Sequence, residues 1–381
     1  MKRVFARTAA ALLAAVLFLP VSAEAVSAKR AIVVDAAGGR VLFSKNSSER
    51  ALIASTTKIM TALLICEQCN VLDRMRIPKE AVGIEGSSMY LKEGEILTLQ
   101  ELLYGLMLSS GNDAAVALAI YCGGTVEGFV QCMNDKARYL GLGNTHFENP
   151  NGLDSPGHYS TAEDMAALTA YAMENPVFAK TVSTKSVQVG QRFLRNHNKL
   201  LWLYDGADGV KTGYTRAAGR ILVSSASRDG RRLIAVTMDA PSDWQDHRLL
   251  LEEGFSEFHV QRIVTAGDMV GSVSVWGGNG EKAALIAKEH FLYAITDSER
   301  LQLARPGPEF VYAPVVEGAD AGFVYVLIGG KAVGKIPVVY GQTIEQKLPD
   351  KKPFWKTIWG GAANAAADTE NTVCAGNCLA P

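Results

Sequence analysis

The sequence predicts an α+β protein of two domains, and three observations carry that expectation. Its 381 residues exceed the roughly 100 to 200 that one domain usually takes. Residues 30–255 interleave strand patterns with helix patterns. Near residue 263 the texture changes to short runs rich in Val, Ile and Tyr, broken by Gly and Pro, as expected of a smaller β domain.

The elements follow in order. Lys2, Arg3 and Arg7 precede an uninterrupted apolar run over 9–19, and Pro20, Ala23 and Ala25 give a small-residue cleavage pattern. Residues 1–25 therefore read as a secretory signal peptide, with export across the cytoplasmic membrane expected. The run is well short of the roughly 20 residues that span a bilayer, and no cysteine follows it at a position suited to lipid attachment. Residues 30–43 alternate about Gly38-Gly39, which predicts a hairpin. Apolar spacing predicts helices over 58–65, 99–108 and 114–120. Ser160 or Thr161, followed by Glu163 or Asp164, is a capping signature for a helix over 161–173. Strands are expected at 219–225 and 233–238, then a helix at 244–255. In the second domain, strands are expected at 271–276, 309–316 and 321–328. The expected boundaries are 26–262 for the first domain, 263–348 for the second and 349–381 for a tail.

Composition excludes some classes of function. A hydrophobic share of 48% and a charged share of 20% describe a folded body. With 38 basic and 39 acidic residues, the net charge of -1 gives no electrostatic reason to expect a nucleic-acid partner. Outside the cytosol the six cysteines, at 66, 69, 122, 132, 374 and 378, have 15 ways to pair, and their spacing selects none. The Cys66-x-x-Cys69 pair follows an apolar helical run instead of opening a helix, so structural thiols are expected there and not redox chemistry.

Three short motifs stand in the first domain: Ser55-Thr56-Thr57-Lys58, Ser110-Gly111-Asn112 and Lys211-Thr212-Gly213. A serine hydroxyl is a poor nucleophile until a base lies within hydrogen-bond reach. If Ser55 opens a helix, Lys58 shares its face and its amine reaches the hydroxyl. An ammonium cannot take a proton, so Lys58 must work uncharged; burial and a second cation, Lys211, would both lower its pKa. The backbone N–H groups of Ser55 and Tyr214 are candidate oxyanion donors, and Gly213 lets the substrate approach. Lys211 and the Thr212 hydroxyl suit a terminal carboxylate, Ser110 suits a proton relay to the leaving amine, and the Asn112 amide suits a substrate carbonyl.

S-x-x-K, S-x-N and K-T-G in this order form a set described for penicillin-binding proteins and class A β-lactamases. The chain resembles the low-molecular-mass penicillin-binding proteins that act as serine-type D-alanyl-D-alanine carboxypeptidases. The likeness extends through Ile53-Ala54-Ser55-Thr56-Thr57-Lys58-Ile59-Met60-Thr61 and Leu108-Ser109-Ser110-Gly111-Asn112-Asp113-Ala114-Ala115. It continues in Asn149-Pro150 with Gly152-Leu153-Asp154, Tyr159-Ser160-Thr161-Ala162 and Asp208-Gly209-Val210-Lys211-Thr212-Gly213-Tyr214-Thr215. It implies a penicillin-binding protein/β-lactamase-like transpeptidase fold, with an antiparallel sheet flanked by helices and a small C-terminal β domain. The implied catalytic residues are Ser55, Lys58 and Ser110. The implied substrate-binding residues are Asn112, Lys211, Thr212, Gly213, Tyr214 and Thr215, with no metal or organic cofactor. The implied partners are the peptidoglycan pentapeptide ending in D-Ala-D-Ala and β-lactam antibiotics as covalent inhibitors. Two departures stand out: Tyr214 occupies a place where some members have His, and His197 one where an arginine assists carboxylate binding in relatives. Members often end in an amphipathic membrane-surface helix; here Phe354, Trp355, Ile358 and Trp359 sit among Lys351, Lys352 and Lys356, before Gly360-Gly361. That leaves both a membrane contact and a loose tail open.

Other readings remain at this stage. A serine β-lactamase needs a base to activate water; the 144–154 segment contains Glu148 but shows no class A base motif. A non-catalytic penicillin- or wall-binding module is expected to lack a catalytic residue, yet all are present. A transpeptidase differs only in whether an amine or water takes the acyl group. No G-x-S-x-G elbow and no H-E-x-x-H zinc motif occurs.

Overall fold

The computed structural model describes residues 26–348, which divide into two compact units. The signal-peptide expectation, the aromatic tail and Cys374 and Cys378 lie outside the described residues. The first unit runs through Arg262 and includes Leu292–Glu299; the second holds Ile263–Phe291 and the chain from Arg300.

At the centre of the first unit is a five-stranded antiparallel sheet. Its strands are β1 (Arg30–Asp35), β2 (Val41–Lys45), β3 (Ala207–Thr215), β4 (Gly219–Arg228) and β5 (Arg231–Met238), in the order β2-β1-β5-β4-β3. Both faces are covered, so period-two alternation divides one strand between two cores. Ile32 and Val34 of β1 join a large core with the helices, whereas Ala31 and Val33 face a second core with Leu222, Ala235, Leu250 and Leu251. The hairpin expected around Gly38-Gly39 is formed by β1 and β2, and Gly39 takes a positive φ of 64°.

On the large-core side lie α1 (Lys58–Gln68), α2 (Leu99–Leu108), α3 (Asn112–Gly123), α4 (Val126–Tyr139), α5 (Ala162–Ala172) and α6 (Pro176–Ser183). The other face packs against α7 (Asp243–Ser256). Local chemistry sets several starts. Thr98 and Glu101 form a reciprocal capping box at α2, and the Thr161 hydroxyl accepts from the Asp164 N–H at α5. No single described helix is long and apolar enough to cross a membrane.

A six-stranded sheet forms most of the second unit, including Met269–Trp276, Phe310–Tyr312 and Asp320–Ile328 where strands were expected. Val273, Leu285, Val324 and Val338 fill one of its cores.

Candidate active site

Ser55 lies in a 3-10 turn, Ala54–Thr57, that runs into α1 at Lys58. The sequence placed Ser55 at the start of the α-helix; the tighter turn replaces that first turn, with Ala54 at φ 44°. This unusual backbone is held by its neighbours. The Thr61 hydroxyl donates to Pro150 O at 2.6 Å, and Thr57 Oγ1 meets His158 Nε2 at 2.7 Å. Gly152, at φ 88°, packs so closely that a Cβ there would lie 1.8 Å from Ala54 O.

Lys58 is fully buried, and its Nζ has three partners: Ser55 Oγ at 2.9 Å, Asn112 Oδ1 at 2.7 Å and Asn151 O at 2.6 Å. Desolvation first, then the Lys211 charge, hold its pKa well below the ordinary lysine value, against the opposing pull of Asp113. An uncharged amine has two N–H donors and one lone pair. Carbonyl oxygens only accept, so Asn112 and Asn151 take the two N–H bonds and the lone pair is left facing the Ser55 hydroxyl. Burial and the Lys211 charge favour the uncharged amine, and in that form the arrangement aims its lone pair at Ser55.

The second wall is the turn before α3. Ser110 adopts φ 58° and is buried, yet its hydroxyl has no hydrogen-bond partner among the described residues and faces the cavity beside Ser55. The buried Asp113 carboxylate fixes this turn to the 88–91 segment, accepting from Ser88 Oγ at 2.6 Å and from Met89 N and Leu91 N at 3.0 Å. One Asn112 amide N–H donates to Glu85 O. Its oxygen is taken by Lys58, so one N–H remains for the substrate carbonyl that the sequence assigned to it.

Strand β3 forms the third wall. A Cβ on Gly213 would stand 3.3 Å from Ser55 N and from Ile53 O, so the missing side chain admits the Ser55 turn itself, a reason not visible in sequence. Lys211 is buried, donates to Thr212 O at 2.9 Å and has no carboxylate partner among the described residues. Burial lowers its pKa to about 7. Thr212, Gly213 and the exposed Tyr214 line the cavity, of about 290 Å³. The cavity lining does not include Thr215, Lys58, Asn112 or Lys211; the Thr215 hydroxyl donates to Asp154 Oδ1 and accepts from Ala218 N, both at 3.0 Å.

Three groups in or beside the cleft were not assigned from sequence. Arg220 on β4 pairs across from Tyr214, lines the cavity and donates from Nη2 to both oxygens of Asp243 at 2.9 Å. The three residues between β3 and β4 were the available signal, since so short a hairpin forces that pairing. Asn151 entered only through a backbone carbonyl, which carries no sequence mark. His197, at the place where the likeness puts an arginine in relatives, lines the cavity, where desolvation and Lys211 lower its pKa. Glu148, the only acid considered for a β-lactamase base, does not line the cavity and is bound by Ser155 Oγ and Gly157 N. The Cys66 and Cys122 thiols are pushed up to about 12, chiefly by burial, the opposite of a redox thiolate. Among the described residues no His, Cys, Asp or Glu cluster is arranged to hold a metal ion.

Fold and family likeness together define a serine peptidase of the penicillin-binding type. A family model described as D-alanyl-D-alanine carboxypeptidase matches residues 19–242, and one described as penicillin-binding protein 5, C-terminal domain, matches residues 258–346. The chain belongs to the D-alanyl-D-alanine carboxypeptidase family. The D-alanyl-D-alanine carboxypeptidase DacF of Bacillus subtilis is 34% identical over 327 residues, covering 82% of this chain and 84% of its own. The crystal structure of penicillin binding protein 5 from Haemophilus influenzae matches with a TM-score of 0.75 at 29% identity, over 86% of this chain and 100% of that one. A mutant of the Streptomyces K15 DD-transpeptidase matches with a TM-score of 0.59 at 33% identity, over 61% of this chain and 98% of that one.

Proposed function

We propose that this chain removes the terminal D-alanine from peptidoglycan stem peptides through an acyl-enzyme on Ser55. The observation that carries the reading is the Lys58 amine, buried, 2.9 Å from Ser55 Oγ and held by two carbonyl acceptors. In this reading the terminal carboxylate meets Lys211 and the Thr212 hydroxyl, where a buried cation otherwise lacks an anion. The scissile carbonyl lies between the N–H groups of Ser55 and Tyr214. Lys58 takes the hydroxyl proton as Ser55 Oγ attacks. Ser110 returns a proton to the departing D-alanine amine, and water then cleaves the ester. β-Lactam antibiotics acylate the same oxygen. The substrate's location implies export and action outside the cytoplasmic membrane, in keeping with the 1–25 reading.

The test is D-alanine release from a peptide ending in D-Ala-D-Ala. Ser55→Ala is expected to lower the rate by about 10⁴-fold or more. Equal release from variant and wild type would defeat the assignment.

A further inference from the structure

Four cysteines lie among the described residues, all reduced and partly buried against the large core: Cys66 and Cys69 at the end of α1, Cys122 in the last turn of α3 and Cys132 on α4. Spacing in the sequence selects no pairing for them, but the fold does. α1 and α3 both start at the catalytic site, where Lys58 Nζ donates to Asn112 Oδ1 at 2.7 Å. Cys69 stands eleven residues after Lys58, and Cys122 ten after Asn112. At about 1.5 Å of rise per residue, both lie roughly 15 to 16 Å along, so two helices running side by side in one direction bring them level.

Two contacts close that far end. Cys122 Sγ donates to Gln68 Oε1 at 3.4 Å, and Tyr121 Oη donates to Asp73 Oδ2 at 3.0 Å. Cys69 lies between Gln68 and Asp73 in the chain, and its own N–H donates to Ile65 O at 3.1 Å. The turn that follows is fixed as well: Leu99 N donates to Asp73 O and Gln100 N to Val71 O, both at 2.9 Å. The Cys122 thiol is within hydrogen-bond reach of the Cys69 sulfur, whereas Cys66 and Cys132 bear on the pair as neighbouring charges. Burial pushes both thiols up, Cys122 to about 12; the contact between them holds Cys69 down and adds to the rise at Cys122.

We propose that Cys69 and Cys122 are a structural disulfide site, closed when the protein meets a disulfide-carrying oxidant, and that the bond staples the far ends of the two helices whose near ends hold Lys58. The Cys69 thiolate attacks the oxidant's disulfide, forming a mixed disulfide and releasing one thiol. The Cys122 thiolate then attacks the Cys69 sulfur, the protein's own S–S bond forms, and the oxidant's second sulfur leaves as a thiol. Two electrons and two protons pass to the oxidant, whose disulfide ends as two thiols. Cys69 is the better first nucleophile, because the hydrogen bond from Cys122 favours its thiolate. Once the bond is closed, a thiol attacking at Cys69 must expel Cys122, a high-pKa and therefore slow leaving group. The pair is thus a lasting staple, not a catalytic dithiol.

The experiment treats the purified protein with oxidised glutathione, alkylates the remaining thiols with iodoacetamide and maps unreduced peptides by mass spectrometry. Wild type is expected to give a linked pair of peptides carrying Cys69 and Cys122, lighter by two hydrogens than the two thiol peptides and separated by dithiothreitol. Cys66→Ser and Cys132→Ser are expected to keep that link. The oxidised wild type is expected to melt about 5 °C above its reduced form, a difference absent from Cys122→Ala. Alkylation of both Cys69 and Cys122 after oxidation, a link from either to any other cysteine, or equal melting temperatures for oxidised and reduced wild type would overturn the proposal.

Discussion

At the scale of single residues, the proposed mechanism divides the work between two buried lysines that are poor cations to different degrees. Lys58 is desolvated and sits near a second positive charge, so its neutral form is favoured; burial lowers Lys211 only to about 7, which leaves its charged form for the carboxylate of the proposed substrate. The sign of the pH dependence follows. In the proposed mechanism acylation uses uncharged Lys58, so its rate is expected to rise with pH through the Lys58 titration, while carboxylate affinity is expected to fall as pH passes about 7 and Lys211 loses its proton. Asn112→Asp would replace an amide oxygen 2.7 Å from Lys58 Nζ with a carboxylate, which favours the ammonium. The acid limb of the penicillin acylation profile is then expected to move up by about one pH unit or more, with a slower rate at pH 7. An unmoved limb would mean that Lys58 is not the titrating base. The Ser55–Lys58 pair was legible in sequence because three-residue spacing on a helix carries its own geometry. Asn151 and Arg220 were not, since one acts through its backbone and the other reaches the cleft only by cross-strand pairing.

At the scale of elements, the site depends on how closely the Ser55 turn, the 149–154 loop and β3 approach one another. Gly152 and Gly213 mark the two tightest approaches to the turn. Gly152→Ala would force a Cβ against Ala54 O at a positive φ, so it is expected to destabilise the protein by about 3 kcal/mol in urea unfolding. It is also expected to abolish labelling by fluorescent penicillin under native conditions. Full labelling with unchanged stability would show that the loop does not hold the turn. Periodicity located α1, α2, α3 and α5 to within a few residues, because each buries an apolar face whose spacing is written in the chain. It missed the 3-10 turn at Ser55, whose conformation is imposed by packing from residues nearly a hundred positions away.

At the scale of the whole molecule, the antiparallel sheet with helices on both faces brings three distant segments to one end of β3, and short local motifs gave no account of that gathering. The change of texture near residue 263 was legible because a β unit has shorter, more evenly punctuated runs than a helical one. One experiment separates the two readings of the basic and aromatic 349–381 segment: if it contacts the membrane surface, removing the residues after Leu348 shifts the protein from the membrane fraction to the soluble fraction without altering D-alanine release. Unchanged fractionation would remove the tail as an anchor.

The central claim is that an uncharged lysine activates Ser55. It is tested most directly by the second-order rate of covalent labelling with a β-lactam, followed by intact mass and peptide mapping. Wild type is expected to carry one adduct, on Ser55, and Lys58→Ala to acylate about 10³-fold more slowly or worse. Acylation of Lys58→Ala at the wild-type rate, or an adduct mapped to another residue, would contradict it.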